Sequence, residues 1–266
     1  MKNISVLFAS AGLFLGLVSS SCNDPQLLAP GGDNEIKGCT NQEAVNYNSE
    51  AAVDDGSCVV VNEQQNSIFV KFTATWCGPC GGWGGTAFTD AIATQGSRML
   101  AMSLQVNDDL TTGSNGPLVD EFSNKWNYSG TPNFAANEIM VGTTVQDAVN
   151  EVADHAQLMP KLGVGVRTTL GAGPNAGKLN IDAYIKHFDE TNDDYHLAIY
   201  FLARNIVASQ NTSNGYVDNY EHHHVLLGAA TYGGAYGEEI ITEKKSAGDV
   251  TRFARAVAYD ASWDLD

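Results

Sequence analysis

The sequence predicts an α/β domain over residues 65–160, an antiparallel β-sandwich over 161–266, and a small disulfide-stapled module at 38–58 ahead of both. Three observations lead there. Between residues 67 and 156, short β-rich apolar runs alternate with stretches whose apolar residues recur at helical spacing. Beyond Pro160 the hydrophobic period becomes two. Four of the five cysteines fall into two local pairs, Cys39 with Cys58 and Cys77 with Cys80.

Composition sets the outer limits. With 43% hydrophobic and 17% charged residues, a chain of 266 residues is a folded globular protein with room for two domains. Its net charge of -17 repels nucleic acid and anionic membrane surfaces, so neither is expected as a direct partner, and the same charge favours solubility.

Residues 1–22 have the layout of an export signal: Lys2, an apolar stretch from Val6 to Val18, then Ser19-Ser20-Ser21-Cys22. The cysteine after small residues resembles a bacterial lipobox, in which Cys22 is acylated and becomes the mature N-terminus. The usual Leu three residues earlier is replaced by Ser19, with Val18 one step before it. An ordinary cleaved signal is the alternative. Lipidation of Cys22 removes the odd cysteine from an oxidising compartment, leaving two pairs. Residues 23–37, rich in Pro, Gly and Asp, read as a tether that holds the folded part off the membrane.

The module at 38–58 resembles a cysteine-bracketed unit of Bacteroidetes surface proteins, on Gly38-Cys39-Thr40, Ala44-Val45-Asn46-Tyr47-Asn48 and Asp54-Asp55-Gly56-Ser57-Cys58. It is too short to bury a core, so a staple is required, and closing such a loop contributes about 3 kcal/mol. Asn46, Asn48, Asp54 and Asp55 offer the hard oxygen ligands that calcium takes, though not at EF-hand spacing, and the same residue types form turns. No other metal or cofactor is expected beyond a redox-active disulfide.

In the α/β part, Ile68-Phe69-Val70-Lys71-Phe72 is a strand interrupted only by Lys71. A helix is expected from about Cys77 to Thr94, weakened by Gly81, Gly82, Gly84 and Gly85, each unfavourable by up to about 1 kcal/mol relative to Ala. Met99–Val106 reads as a second strand, and Leu118, Val119, Phe122 and Trp126 share one face of a second helix. Residues 133–141 read as a hairpin. Val145, Ala148, Val149, Val152 and Ala156 then make a third helix, with Thr144 as N-cap.

In the sandwich, Val164–Leu170, Leu179–Ile185 and Leu197–Ala203 alternate, with a turn at 173–177. Further strands are expected at His223–Ala230, Glu238–Lys244 and Arg252–Tyr259, and one more beyond Asp266. In Tyr220-Glu221-His222-His223-His224-Val225, His222 and His224 share a strand face, either as a metal pair or as hydrogen-bonded histidines at a loop-to-strand junction.

The chemistry centres on Cys77-Gly78-Pro79-Cys80. Thiol exchange needs one exposed thiolate of depressed pKa and a second sulfur in reach. At a helix start the macrodipole favours the anion on Cys77, the nucleophile, while Cys80, one turn in, resolves the mixed disulfide. A zinc site lacks a second Cys or His pair nearby. A purely structural disulfide remains the alternative.

The stretch Phe72-Thr73-Ala74-Thr75-Trp76-Cys77-Gly78-Pro79-Cys80 resembles the active site of thioredoxins and their membrane-anchored periplasmic relatives. The predicted element order is also the minimal thioredoxin order. The resemblance implies a thioredoxin-like domain, a cis-proline at Pro132 after Thr131 facing the dithiol, and substrate contacts from Trp76, Gly78, Pro79, Thr131 and Pro132. Two departures stand out: Lys71 occupies the place of the family's buried Asp, and the glycines after Cys80 replace basic and apolar residues.

Together with Tyr220-x-His222-x-His224-Val225, these features resemble the Bacteroidetes twenty-eight-kilodalton outer-membrane lipoprotein family over roughly residues 65–266. That implies lipid-anchored placement in the bacterial cell envelope, at the outer membrane. Two functions follow as expectations. One is a thiol–disulfide oxidoreductase acting on exported protein thiols or disulfides with an unidentified redox partner. The other is a surface lipoprotein whose sandwich is binding or adhesin-like and whose dithiol is structural or vestigial.

Overall fold

The computed structural model describes residues 35–137 and 139–259. Cys22, the export segment 1–22 and most of the tether lie outside the described residues. In chain order the strands of the first half are β1 (Lys37–Gly38), β2 (Val53–Asp54), β3 (Ser67–Thr73), β4 (Met99–Gln105), β5 (Asn133–Ala136) and β6 (Ile139–Gly142). Helices α1 (Gly85–Gln95), α2 (Gly116–Lys125) and α3 (Val145–His155) lie among them. Then come β7 (Leu162–Leu170), β8 (Lys178–His187), β9 (Tyr195–Leu197), β10 (Tyr200–Thr212), β11 (Gly215–Ala229), β12 (Glu238–Ile241) and β13 (Val250–Ala258). The fold is mixed α/β, mostly strands in open sheets with a few helices.

The larger of two compact units comprises Glu63–Gly163 and His187–Asp249. Its six-stranded sheet has the order β10-β11-β4-β3-β5-β6. β3 and β4 are parallel in register from Ser67↔Met99 to Thr73↔Gln105, and β5 runs antiparallel to β3. Every residue of β3 is buried because both faces of the sheet are covered. Ile68, Val70 and Phe72 pack with Met102, Leu104 and the Leu118-Val119-Phe122-Trp126 stripe of α2. On the other face Phe69 packs with Phe88 and Ala91 of α1 and Ala148 and Val152 of α3. Thr144 holds the N-cap position of α3, but its side chain makes no capping hydrogen bond.

The predicted sandwich is not what the described residues 161–259 form. β10 and β11 make a long antiparallel hairpin that joins the first sheet, with Val225 of β11 paired in parallel to Ser103 of β4. Tyr200, Leu226 and Ala235 enter the same core as Phe72 and Phe122. The physical reason lies in β4, whose ladder would otherwise end the sheet with unpaired backbone groups beside a large apolar face. Alternation shows that a strand has one buried face, not which sheet buries it. β9 and β12 form a separate antiparallel pair in this unit.

The smaller unit holds residues 35–62, Val164–Lys186 and 250–259. Cys39 and Cys58 are joined by a disulfide, and β1, just before Cys39, forms a short parallel ladder with β2 inside the stapled loop. A Cβ on Gly165 would lie 2.4 Å from Val59 Cγ1, so the chain leaving the stapled loop lies directly against β7. β8 pairs antiparallel with β13 from Lys186↔Val250 to Lys178↔Ala258, in the sheet order β13-β8-β7. At its centre the buried Asp182 carboxylate accepts hydrogen bonds from Arg167 Nη2 at 3.2 Å and Arg252 Nε at 3.1 Å.

Candidate functional site

Where β3 ends, Cys77 N–H donates to Ala74 O at 3.1 Å and Cys80 N–H to Cys77 O at 3.1 Å, folding 74–80 into a tight turn. Cys77 and Cys80 form a disulfide. The expected helix from Cys77 begins later: Cys80–Gly84 is a π-type turn kinked at Gly82, and α1 starts at Gly85. Trp76 is 54% exposed, its indole N–H donating to Asn107 O at 3.1 Å. Gly78 is half-buried and Pro79 exposed. Thr131 is half-buried and Pro132 buried, and the bond between them is cis. The Pro132 ring sits where a Cβ on Gly84 would be only 2.9 Å away, so this loop touches the helix that carries the dithiol.

Exposure of Cys77 is the expectation that fails. Its relative exposure is 5% and that of Cys80 is 2%. The tip of the β10–β11 hairpin packs on the turn. Gln210 Nε2 donates to Ala74 O at 3.1 Å and to Cys77 O at 2.9 Å, and Asn211 N–H donates to Thr75 O at 2.7 Å. Asn211 Nδ2 donates to Trp76 O at 3.2 Å. These polar residues gave no catalytic signal in the sequence. The glycine run was the trace they left: a Cβ on Gly81 would stand 2.5 Å from Asn211 O, and one on Gly85 2.7 Å from the Tyr220 hydroxyl.

Behind Cys80 lies a cavity of about 640 Å3. It opens at the C-terminal ends of the parallel strands β3 and β4, which contribute Lys71, Thr73, Ser103 and Gln105. α1 supplies Phe88 and the hairpin supplies Tyr220, Glu221, His222, His223 and His224. Lys71 is buried, with its ammonium 4.6 Å from the centre of the Phe88 ring. Burial pushes its pKa down from 10.5 to about 8. His222 and His224 both line the cavity, but His224 takes a positive φ of 56°, which interrupts the regular alternation that the shared face presumed, and burial lowers both imidazoles below their usual range. His223, also on the wall, has Nδ1 2.6 Å from Asn205 Oδ1. Among the described residues no group of three or more His, Cys, Asp or Glu could hold a metal ion.

In the stapled module, Asn46 Oδ1 accepts from Val59 N–H at 2.7 Å and Asn48 Oδ1 from Glu50 N–H at 3.0 Å. Asp54 Oδ1 accepts from Gly56 N–H at 2.6 Å and Asp55 Oδ1 from Ser57 N–H at 2.9 Å. Asn48, Asp54 and Asp55 thus stabilise local turns, while Asn46 ties the two ends of the loop together.

A family model described as outer membrane protein Omp28 matches residues 119–264, more than half the chain. Among solved structures, HBP35 of Porphyromonas gingivalis is similar, with a TM-score of 0.57 and 18% identity over 75% of this chain. The match covers 66% of that protein, so this chain spans just under two thirds of its length. At that identity the likeness concerns the fold alone. No curated protein matches the sequence.

Proposed function

The chain belongs to the outer membrane protein Omp28 family, a protein of the outer-membrane cell envelope, and on that premise we propose that it is a thiol–disulfide oxidoreductase held there by a lipid on Cys22. Its redox centre is Cys77–Cys80 in a thioredoxin-like arrangement, and exported protein thiols or disulfides are its substrates. One observation carries the reading: a Cys-x-x-Cys disulfide closes the turn between a fully buried parallel strand and its helix, with the Thr131–Pro132 loop packed against that helix at Gly84. Exchange begins when one sulfur of the pair is attacked. Reduced, Cys77 Sγ would accept from Cys80 N–H, 3.2 Å away in the disulfide form, which favours its thiolate.

The test is reduction of insulin by the full chain with dithiothreitol as donor. Turnover in the parent and its loss in Cys77→Ser support the enzyme, whereas an inactive parent overturns it. The burial of both sulfurs favours a second reading, a surface binding protein in which the pair is a staple. A reduction potential below about -300 mV is the mark of a structural disulfide and would select that reading.

A further inference from the structure

We propose that the cavity behind Cys80 is a binding site for a small carboxylate-bearing thiol, which exchanges with the disulfide at Cys80 rather than at Cys77. The inference rests on the dithiol-exchange reading above and adds a substrate class and an entry side. Cys80 lines this cavity and Cys77 does not.

The walls specify the ligand. Lys71 brings an ammonium into the interior with no carboxylate paired to it among the described residues. The single carboxylate on the wall is that of Glu221, whose side chain is 62% exposed and lies 3.9 Å from His223 Nε2. A buried cation without a counter-charge is unfavourable, and a bound anion relieves it. Three side chains of the wall, each more than nine-tenths buried, carry an atom with no hydrogen-bond partner: Ser103 Oγ, Gln105 Oε1 and His222 Nε2. In the neutral ring with its proton on Nδ1, the unpartnered His222 Nε2 is an acceptor. Lys71 therefore takes the carboxylate, while Gln105 and His222 accept from an amine or amide N–H on the same ligand. The cavity volume of about 640 Å3 is that of a small-molecule site. Its place at the carboxyl ends of parallel strands is where open α/β sheets bind ligands.

The reaction balances. The bound thiolate attacks Cys80 Sγ, a new disulfide forms to the ligand, and the Cys77–Cys80 bond breaks with its electron pair leaving on Cys77. A second thiolate attacks the ligand sulfur of that mixed disulfide, releasing the ligand as its own disulfide and leaving Cys80 reduced. Two thiols are oxidised and one protein disulfide is reduced.

The test compares reduction rates of the full chain by 3-mercaptopropionate, 2-mercaptoethanol and cysteamine, each corrected for its thiolate concentration and divided by its rate with an uncharged small-molecule disulfide, which removes intrinsic nucleophilicity. A chain of net charge -17 repels the anionic thiol, so general electrostatics ranks cysteamine fastest. The proposal expects the reverse, with 3-mercaptopropionate at least tenfold faster than cysteamine. Lys71→Met abolishes that advantage, read as the ratio of the 3-mercaptopropionate rate to the 2-mercaptoethanol rate within each protein. In the parent, the unreactive 3-(methylthio)propionate slows 3-mercaptopropionate competitively. Cysteamine at least as fast as the anion in the parent, or an anion preference that survives Lys71→Met, overturns the site while leaving dithiol exchange intact. Resistance to all three thiols overturns dithiol exchange itself, and this site with it.

Discussion

Replacing Gly81 with Ala tests whether the hairpin tip truly seats on the dithiol turn. The added Cβ would lie 2.5 Å from Asn211 O and 2.5 Å from Gln210 Cγ, with Thr212 Cγ2 at 3.0 Å. Ordinary contact between such atoms is about 3.5 Å, so the tip must retreat by about 1 Å. The bonds at risk are Asn211 N–H to Thr75 O at 2.7 Å and the Gln210 bonds to Ala74 O and Cys77 O at 3.1 and 2.9 Å. At about 1 kcal/mol each these sum to about 3 kcal/mol if all are lost, and the gain in helix propensity returns at most about 1 kcal/mol. A net loss of about 2 kcal/mol is expected, read as a fall of about 1 M in the urea midpoint. Reduction of Cys77–Cys80 by dithiothreitol should accelerate in the same variant, because its cover is loosened. Gly78→Ala is the control, since its Cβ would meet Thr212 O at an ordinary 3.6 Å. A Gly81→Ala protein with parental midpoint and parental reduction rate would refute the reasoning.

Three further outcomes follow from the same structure. Lys71 holds its proton up to 10.5 when unfolded but only to about 8 when folded, so the unfolded chain binds more protons between those values and parental stability rises with pH across that window. The gap corresponds to about 3 kcal/mol, and Lys71→Met should be more stable than the parent by up to that amount below pH 8, the difference closing towards pH 10.5 in paired denaturation curves. For Asp182, burial alone would raise the carboxyl, but hydrogen bonds from Arg252 and Arg167 outweigh it and hold the pKa below 3.8. Its stabilisation is therefore present above that value and lost as pH falls through the lower folded one. Asp182→Asn should destabilise the β7-β8-β13 sheet by about 1–3 kcal/mol, discounted for the exposed Arg252, and flatten the acid limb of its thermal unfolding profile. Replacing Cys39 and Cys58 by Ser removes a staple worth about 3 kcal/mol and should make residues 38–58 the first site of limited proteolysis, while the far-UV spectrum is kept.

How much of this was legible varies with the kind of signal. β3 and β4 were readable as nearly continuous apolar runs, α2 and α3 because each buries its own periodic stripe, and Cys77-Gly78-Pro79-Cys80 because the motif is local. The hairpin was half readable. Leu197 to Ala203 showed a strand, but the strand's distal end, Ser209 to Thr212, is polar, and period two carries no information about which sheet accepts it. The site itself draws on residues 71, 80, 105, 210 and 222, whose proximity is set by the pairing of β11 with β4 and not by spacing along the chain. Two traces did exist. Lys71 is a charge inside a strand that is otherwise apolar from Ile68 to Phe72, and four glycines follow a helix-starting cysteine where helix formers would be expected. Both mark a partner that approaches from elsewhere in the sequence.

The pairing of Val225 with Ser103 also governs how the protein must be made. A chain that has emerged into the envelope only as far as residue 160 presents only four of the strands in the six-stranded sheet, and the flank of β4 stays bare until about seventy further residues emerge. Nascent chains are therefore exposed to strand capture by neighbours throughout that interval, and envelope chaperones would be needed most just then. For the same reason, cutting the gene at the apparent boundary near Pro160 would yield an aggregating fragment in place of a separable redox module.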